Sequence, residues 1–323
     1  MVAFCGEFKE TAPSHYDLLT LTLWFGINFA QPEQMNPNCP RCLRPGGRNS
    51  FYIRRCDSKK ITQYRCFSCK QTWTPETDNL EKRQRLRSVN ETLRLLLVSC
   101  VSMRRSAKLL GINQKTVARR VPYLAAKARL ELEKFDAKTE KPKPCREVYL
   151  DELITFEHTR CKPLAVAMAV SKERKILSFA VSSMPAIGKK LKEISFQKYG
   201  KRANHRNQGF TKCLTDIEKQ VDKNTCFISD EENSYPMLIS RHYPNNQHER
   251  HPSKRAVIAG QGELKDHSFD PLFSINHTFA MLRANIARLV RRTWVTTKKA
   301  PVLEQMLWIY AGFHNLELIT QGS

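Results

Sequence analysis

The sequence predicts an α/β protein in which a mixed-sheet domain follows a small cysteine-held module and an all-helical segment. Three observations carry that expectation. Two Cys-x2-Cys pairs punctuate residues 37–76, which are otherwise rich in Pro, Gly and aromatics and show little periodicity. From about Asn79 to Phe135 apolar residues recur at helical spacing. From Glu147 the pattern turns to β runs, "EVYLD", "LAVAMAVS" and "KILSFAVSSM". A basic helical stretch, a fourth strand "TCFISD" and a helix opening at Phe273 follow.

Composition narrows the partners before any motif is read. Lys and Arg number 54 against 31 Asp and Glu, a net charge of +23. So large an excess favours a polyanion, with DNA or RNA first. A hydrophobic content of 41% is that of a globular chain. The most apolar run, Leu18–Ala30, has 13 residues, too short to cross a bilayer. It is also not flanked by a basic n-region or a small-residue cleavage site. The expected setting is cytoplasmic, associated with the nucleoid and not with a membrane. In a reducing compartment the eleven Cys are metal ligands or buried thiols, not disulfides. Residues 1–36 give a weak helical or mixed signal and no legible chemistry.

Residues 37–76 read as a zinc ribbon. "CPRC" (Cys39, Cys42) and "CFSC" (Cys66, Cys69) are separated by 23 residues. Each pair sets two thiolates on one tight turn, and two such turns complete a tetrahedral Zn2+ shell. The runs "FYIRR" and "ITQYRC" between them look like two short strands. So small a module cannot bury enough apolar surface to fold without its metal. Four unrelated buried cysteines are the bland alternative, and the paired spacing argues against it.

Residues 80–135 have the layout of a helix-turn-helix. Ser88 and Glu91 have capping-box spacing. "MRRSAKLLG" is a short helix closed by Gly111, and Asn113 caps the next. In this arrangement the second helix enters the major groove by its N-terminal residues. Gln114, Lys115, Thr116, Arg119 and Arg120 are the candidate DNA contacts, and a helical hairpin used only for packing is the alternative. Residues 136–146, with "AKTEKPKPCR", read as a linker.

Residues 147–320 carry the candidate chemistry. "VYLDE" puts Asp151 at the tip of the first strand, and "CFISDE" puts Asp230 at the tip of the fourth. Carboxylates at neighbouring strand ends repel unless divalent cations neutralise them. Two such cations, Mg2+ or Mn2+, activate a hydroxyl and stabilise a leaving oxygen in phosphodiester chemistry. Taken singly, each Asp is more commonly a strand-ending turn residue. Three strands, an interruption, a fourth strand and a helix make up the layout of the ribonuclease-H-like fold.

Zinc ribbon, helix-turn-helix and ribonuclease-H-like domain in this order resemble the DDE-type transposases of bacterial insertion sequences. The chain is most similar to the group typified by insertion sequence one and its relatives. The resemblance covers roughly residues 37–315. It is most specific in "LDELITFEHTRCKPLAVAMAV", "ISDEENSYP", "GQGELKDHSFDPLFSINHTFAMLRANIARLVRRTW" and "TTKK". It implies binding of double-stranded DNA, the transposon ends and the target, with Mg2+-dependent strand cleavage and strand transfer. Binding two ends implies a homodimer or larger assembly.

The resemblance also places the third metal ligand at Asn276 and a phosphate-contacting lysine at Lys298. Glu is more usual there, and a neutral amide binds a hard cation more weakly than a carboxylate. Asp270 or Glu263 is therefore the alternative third ligand, and a catalytically retired DNA-binding regulator is the alternative function. A structure-specific nuclease without strand transfer is a second enzymatic alternative. "FSINHTFAMLRANIARLVRRTW" (Phe273–Trp294) reads as one helix, with Phe279, Leu282, Ile286 and Leu289 as its buried stripe. Arg283, Arg288, Arg291 and Arg292 on it are the expected phosphate contacts.

Overall fold

The structure, a computed structural model, describes residues 38–55, 57–74, 79–82, 84–138, 144–252, 270–290 and 295–319. These fall into two compact units divided between Asn79 and Leu80.

The first unit is a three-stranded antiparallel sheet, β1 (Gly46–Ile53), β2 (Lys60–Cys66) and β3 (Thr72–Trp73), in that order. The two expected strands are present, and a third pairs back at Tyr64↔Trp73. Among the described residues the buried side chains are Cys39, Ile61, Cys66 and Trp73, with Cys42 and Tyr64 packed against the cysteine–tryptophan cluster. Gly46 is required by close approach. A Cβ there would meet the Trp73 ring at 2.1 Å.

The second unit opens with three helices, α1 (Val89–Val98), α2 (Met103–Leu109) and α3 (Gln114–Lys138). Ser102 caps α2 by accepting from the Arg105 N–H, 3.3 Å. Asn113 Oδ1 accepts from the Lys115 N–H at 2.8 Å. The expected capping box at Ser88 does not form, because Ser88 is itself helical and Glu91 is held by Arg94 Nε at 2.9 Å. α3 continues three residues past Phe135, carried by Leu, Ala, Glu and Lys, so the linker begins later than expected.

A five-stranded sheet follows in the order β6-β5-β4-β7-β8, with β4 (Glu147–Phe156), β5 (Pro163–Ser171), β6 (Ile176–Ser183), β7 (Cys226–Asp230) and β8 (His248–His251). β4, β5 and β6 pair antiparallel, whereas β7 and β8 run parallel to β4. The sheet is therefore mixed, and its strand order is consistent with the expected ribonuclease-H-like layout. Every residue of β5 is buried, which requires cover on both faces. Val148, Leu150, Ala167 and Phe227 face α5 (Arg206–Asp216) and α6 (Tyr235–His242). Tyr149, Leu153, Val166 and Ile228 face α7 (Phe273–Asn285) and α8 (Ala300–Phe313). α4 (Lys189–Tyr199) precedes α5.

The second face also receives Leu93, Val117, Val121 and Leu124, so the three N-terminal helices share one hydrophobic core with the sheet. α3 crosses α8 closely enough that a Cβ on Gly312 would come within 2.9 Å of Ala128 Cβ. This helical segment was expected to stand as its own domain, and it packs here as part of the sheet's unit.

The long terminal helix is a second departure. α7 stops at Asn285, where the Asn285 amide donates to the Met281 carbonyl at 2.8 Å and Ile286 turns extended (φ −105, ψ 106). Side-chain competition for a backbone acceptor is a known way to end or bend a helix. Ile286 and Leu289 remain buried, but beyond the helix end.

Candidate active site

Asp151 and Asp230 come together by strand register. β4 and β7 are parallel, with Leu150↔Ser229 as a pair, so the next step sets Asp151 beside Asp230. Parallel neighbours lie about 4.8 Å apart and point to the same face. That face also carries Tyr149 and Ile228. Asp230 ends its strand as expected. Asp151 does not: β4 runs on to Phe156, because "ELITF" continues to pair with β5 as far as Phe156↔Pro163.

The pair is electrostatically expensive. Burial is the largest cause pushing the Asp151 carboxyl up to about 7, with the neighbouring Asp230 and Glu152 charges adding to it. The Glu152 N–H, which donates to Asp151 Oδ1 at 2.6 Å, offsets part of this. Asp230 is also raised, first by burial, and accepts from the Glu232 N–H at 3.2 Å. A proton on one carboxyl relieves the repulsion, and a hard divalent cation would do so with both ionised. Two adjacent carboxylates, one held near neutrality, are a donor set that fits such an ion.

A group that sequence reasoning missed sits behind the pair. Glu152 alternates with Asp151 and faces the other side of the sheet, 8% exposed. Arg206, at the start of α5, pairs with Glu152 Oε2 through Nε and with Glu232 Oε2 through Nη2 at 2.9 Å. Tyr235 donates to Glu152 at 3.4 Å, its ring stacked on Phe210 at 4.3 Å. One guanidinium thus ties the strand of Asp151 to the loop after Asp230. The available signal was a second acid inside an apolar strand, immediately after Asp151.

The other candidates lie elsewhere. Asn276 Nδ2 donates to Asp270 Oδ2 at 2.8 Å, near the start of α7. Ser274 on the same turn donates to the Lys172 carbonyl, and the His277 ring is 3.3 Å from Arg174, both in the β5–β6 turn. Lys298 Nζ is 3.2 Å from His158 Nδ1, where Glu157 bridges Thr297. That is beyond the end of β4, and Phe156 alone is already roughly 16 Å along the strand from Asp151. Arg283 lines a cavity of about 970 Å³ at this end, with Leu153, Phe156, His158 and Arg160.

Two expected DNA contacts are corrected. Arg120 is 7% exposed and donates through Nη2 to the Leu86 carbonyl at 3.2 Å, so it pins the helices instead of facing out. Arg288 is half-buried against Met103 Sδ at 3.6 Å, and burial lowers its guanidinium from the usual value. Gln114, Lys115 and Arg119 are exposed on the first turns of α3, and Thr116 is half-buried. Glu263, Arg291 and Arg292 lie outside the described residues.

Cys39, Cys42, Cys66 and Cys69 form the one metal-capable cluster of His, Cys, Asp and Glu among the described residues, with all four sulfurs within 4.8 Å of one another. The residue after each second Cys, Leu43 (φ 57) and Lys70 (φ 59), adopts the left-handed conformation that closes the turn. The Cys69 N–H donates to Cys66 Sγ at 3.4 Å and is the main cause holding that thiol down to about 6. Four convergent thiols, one of them already favouring the thiolate, fit tetrahedral Zn2+.

No described helix is long and apolar enough to cross a membrane. No family model matches the chain, and no curated protein matches it. Among solved structures, the chain is similar to the crystal structure of the catalytic domain of Mos1 mariner transposase. The likeness has a TM-score of 0.24 and 11% identity, and it covers 63% of this chain and 91% of that one. So shallow a likeness adds nothing to the geometry, and the functional reading rests on the carboxylate pair and its surroundings.

Proposed function

We propose that the chain is a transposase, an enzyme that cuts and joins DNA strands, with Asp151 and Asp230 as metal ligands on a ribonuclease-H-like sheet. The observation that carries this reading is the pair itself. Two carboxylates occupy one register step on adjacent parallel strands, and burial first, with the Asp230 charge adding to it, disfavours ionisation of Asp151. When bound, Mg2+ or Mn2+ supplies activation of the attacking hydroxyl and stabilisation of the leaving oxygen. Asp151 and Asp230 ionise to take the cation. Arg206 fixes their spacing through Glu152 and Glu232. Asn276 and the Asp270 bonded to it, beside the β5–β6 turn, are not part of this ligand set. Lys298 and Arg283 hold DNA phosphates along the path beyond β4.

DNA binding belongs to the ribbon and to the helix-turn-helix, whose exposed Gln114, Lys115 and Arg119 enter the major groove, with Thr116 beside them. The ribbon holds one structural Zn2+. Two chains act together on two transposon ends. The test is incubation with candidate terminal-repeat DNA and Mg2+ or Mn2+, scored for nicks and joined products. The expected result is both products from the wild type and neither from Asp151→Asn or Asp230→Asn. Salt-sensitive binding without cleavage in either metal would contradict the reading and favour the regulator. Nicks without joined products would favour the nuclease.

A further inference from the structure

The row that holds Asp151 and Asp230 has a third member. β8 runs parallel to β7 with Asp230↔His251 as a register pair, so Asp151, Asp230 and His251 lie side by side on three consecutive strands. Parallel register partners point to one face, and three strands span about 10 Å, within the combined reach of two carboxylates and an imidazole around an ion. The register is locked from the opposite face. Ser229 Oγ is 2.9 Å from His248 Nε2, and Arg250 donates to the Glu231 carbonyl at 2.8 Å.

The imidazole has a partner of its own. His251 Nε2 lies 3.8 Å from Glu249 Oε2, two residues back on the same face, longer than a hydrogen bond but within reach of one if the ring turns toward an ion, which leaves Nδ1 as the ring nitrogen for a ligand. A carboxylate behind one nitrogen is the usual way a metal-binding histidine is oriented. The three side chains do not converge within 4.8 Å as they stand. An ion would draw them together.

We propose that His251 is a nitrogen ligand completing the strand side of the divalent-metal site, with Glu249 as its positioning residue. This rests on the reading of Asp151 and Asp230 as metal ligands. Its chemical consequence is selectivity. Imidazole nitrogen suits Mn2+ better than Mg2+, which prefers an all-oxygen shell. The site is therefore tuned toward Mn2+.

The experiment uses the zinc-loaded full chain and Mn2+ as the probe, with affinity read from the free-ion signal and ligation from pulsed electron paramagnetic resonance. The expected result is ¹⁴N coupling from imidazole in the wild type, absent in His251→Ala. That variant should weaken Mn2+ binding by about tenfold or more, and Glu249→Gln by less. Mg2+ affinity should change little and the melting temperature of the metal-free protein not at all, which separates ligation from misfolding. Unchanged coupling and affinity in His251→Ala, with binding lost in Asp151→Asn, would overturn the assignment of His251 alone. Unchanged Mn2+ binding in Asp151→Asn would overturn the underlying site, and His251 with it.

Discussion

At the scale of the residue, the chain spends stability to keep Asp151 where it is. Its carboxyl binds a proton more tightly in the folded chain, at about 7, than in the unfolded chain, at about 4. Stability from this group is therefore greatest below pH 4 and is lost as pH rises toward 7. Asp151→Asn removes the titration. In metal-free buffer at pH 8 that variant should be more stable than the wild type by on the order of 2–4 kcal/mol, measured by urea unfolding. A purely structural aspartate would give a less stable variant. Arg206 behaves oppositely, since removing it strands the buried Glu152 beside Glu232. Arg206→Ala should cost about 3–5 kcal/mol in the same measurement, with part of the loss recovered in the double variant Arg206→Ala/Glu152→Gln. Simple additivity of the two changes would show that the ion pair does not matter.

At the scale of the element, α3 divides its cations between two tasks. Lys115 and Arg119 are exposed on its first turns, whereas Arg120, one residue on, is buried on the Leu86 carbonyl. Lys115→Ala and Arg119→Ala should each reduce the salt slope of DNA binding by about one and leave the melting temperature unchanged. Arg120→Ala should lower the melting temperature. Binding that falls equally in all three variants would remove the distinction. Sequence pattern could not make it, because adjacent helix positions differ by a 100° turn and the outward face depends on what packs against α3. That partner, α8, was not read from the sequence at all, although its apolar run buries Leu303, Leu307 and Tyr310. Strands were easier. β5 and β7 were legible as apolar runs, whereas the extension of β4 past Asp151 depended on pairing with β5. α7 ends where the Asn285 amide turns back to the Met281 carbonyl and the Asn285 carbonyl accepts from the distant Cys100 N–H at 2.7 Å, contacts that no local pattern encodes.

At the scale of the whole molecule, the two units rest on different physics. The larger has cores on both faces of its sheet, whereas the described residues of the smaller bury little beyond cysteines, Ile61 and one tryptophan. Chelation of zinc should therefore unfold the ribbon, followed through the Trp73 environment, and leave the cooperative transition of the larger unit intact. One zinc per chain should be released, and Cys66→Ser should reproduce the effect. Loss of both units together would contradict this division. The cysteine spacing made the four-thiol cluster legible because ligand geometry is local. The Asp151–Asp230 pair was half legible, as acids on two strands. Their adjacency, and that of His251, came from a register between segments some eighty residues apart, which a single sequence does not encode locally.

The proposed activity requires Asp151 and Asp230 to share a divalent cation. The most direct measurement is anomalous scattering at the manganese edge from crystals of the zinc-loaded chain grown with Mn2+. The expected result is a peak bonded to carboxylate oxygens of both residues, and none in Asp151→Asn. A peak elsewhere, or a pair bridged only by a proton at saturating Mn2+, would contradict it.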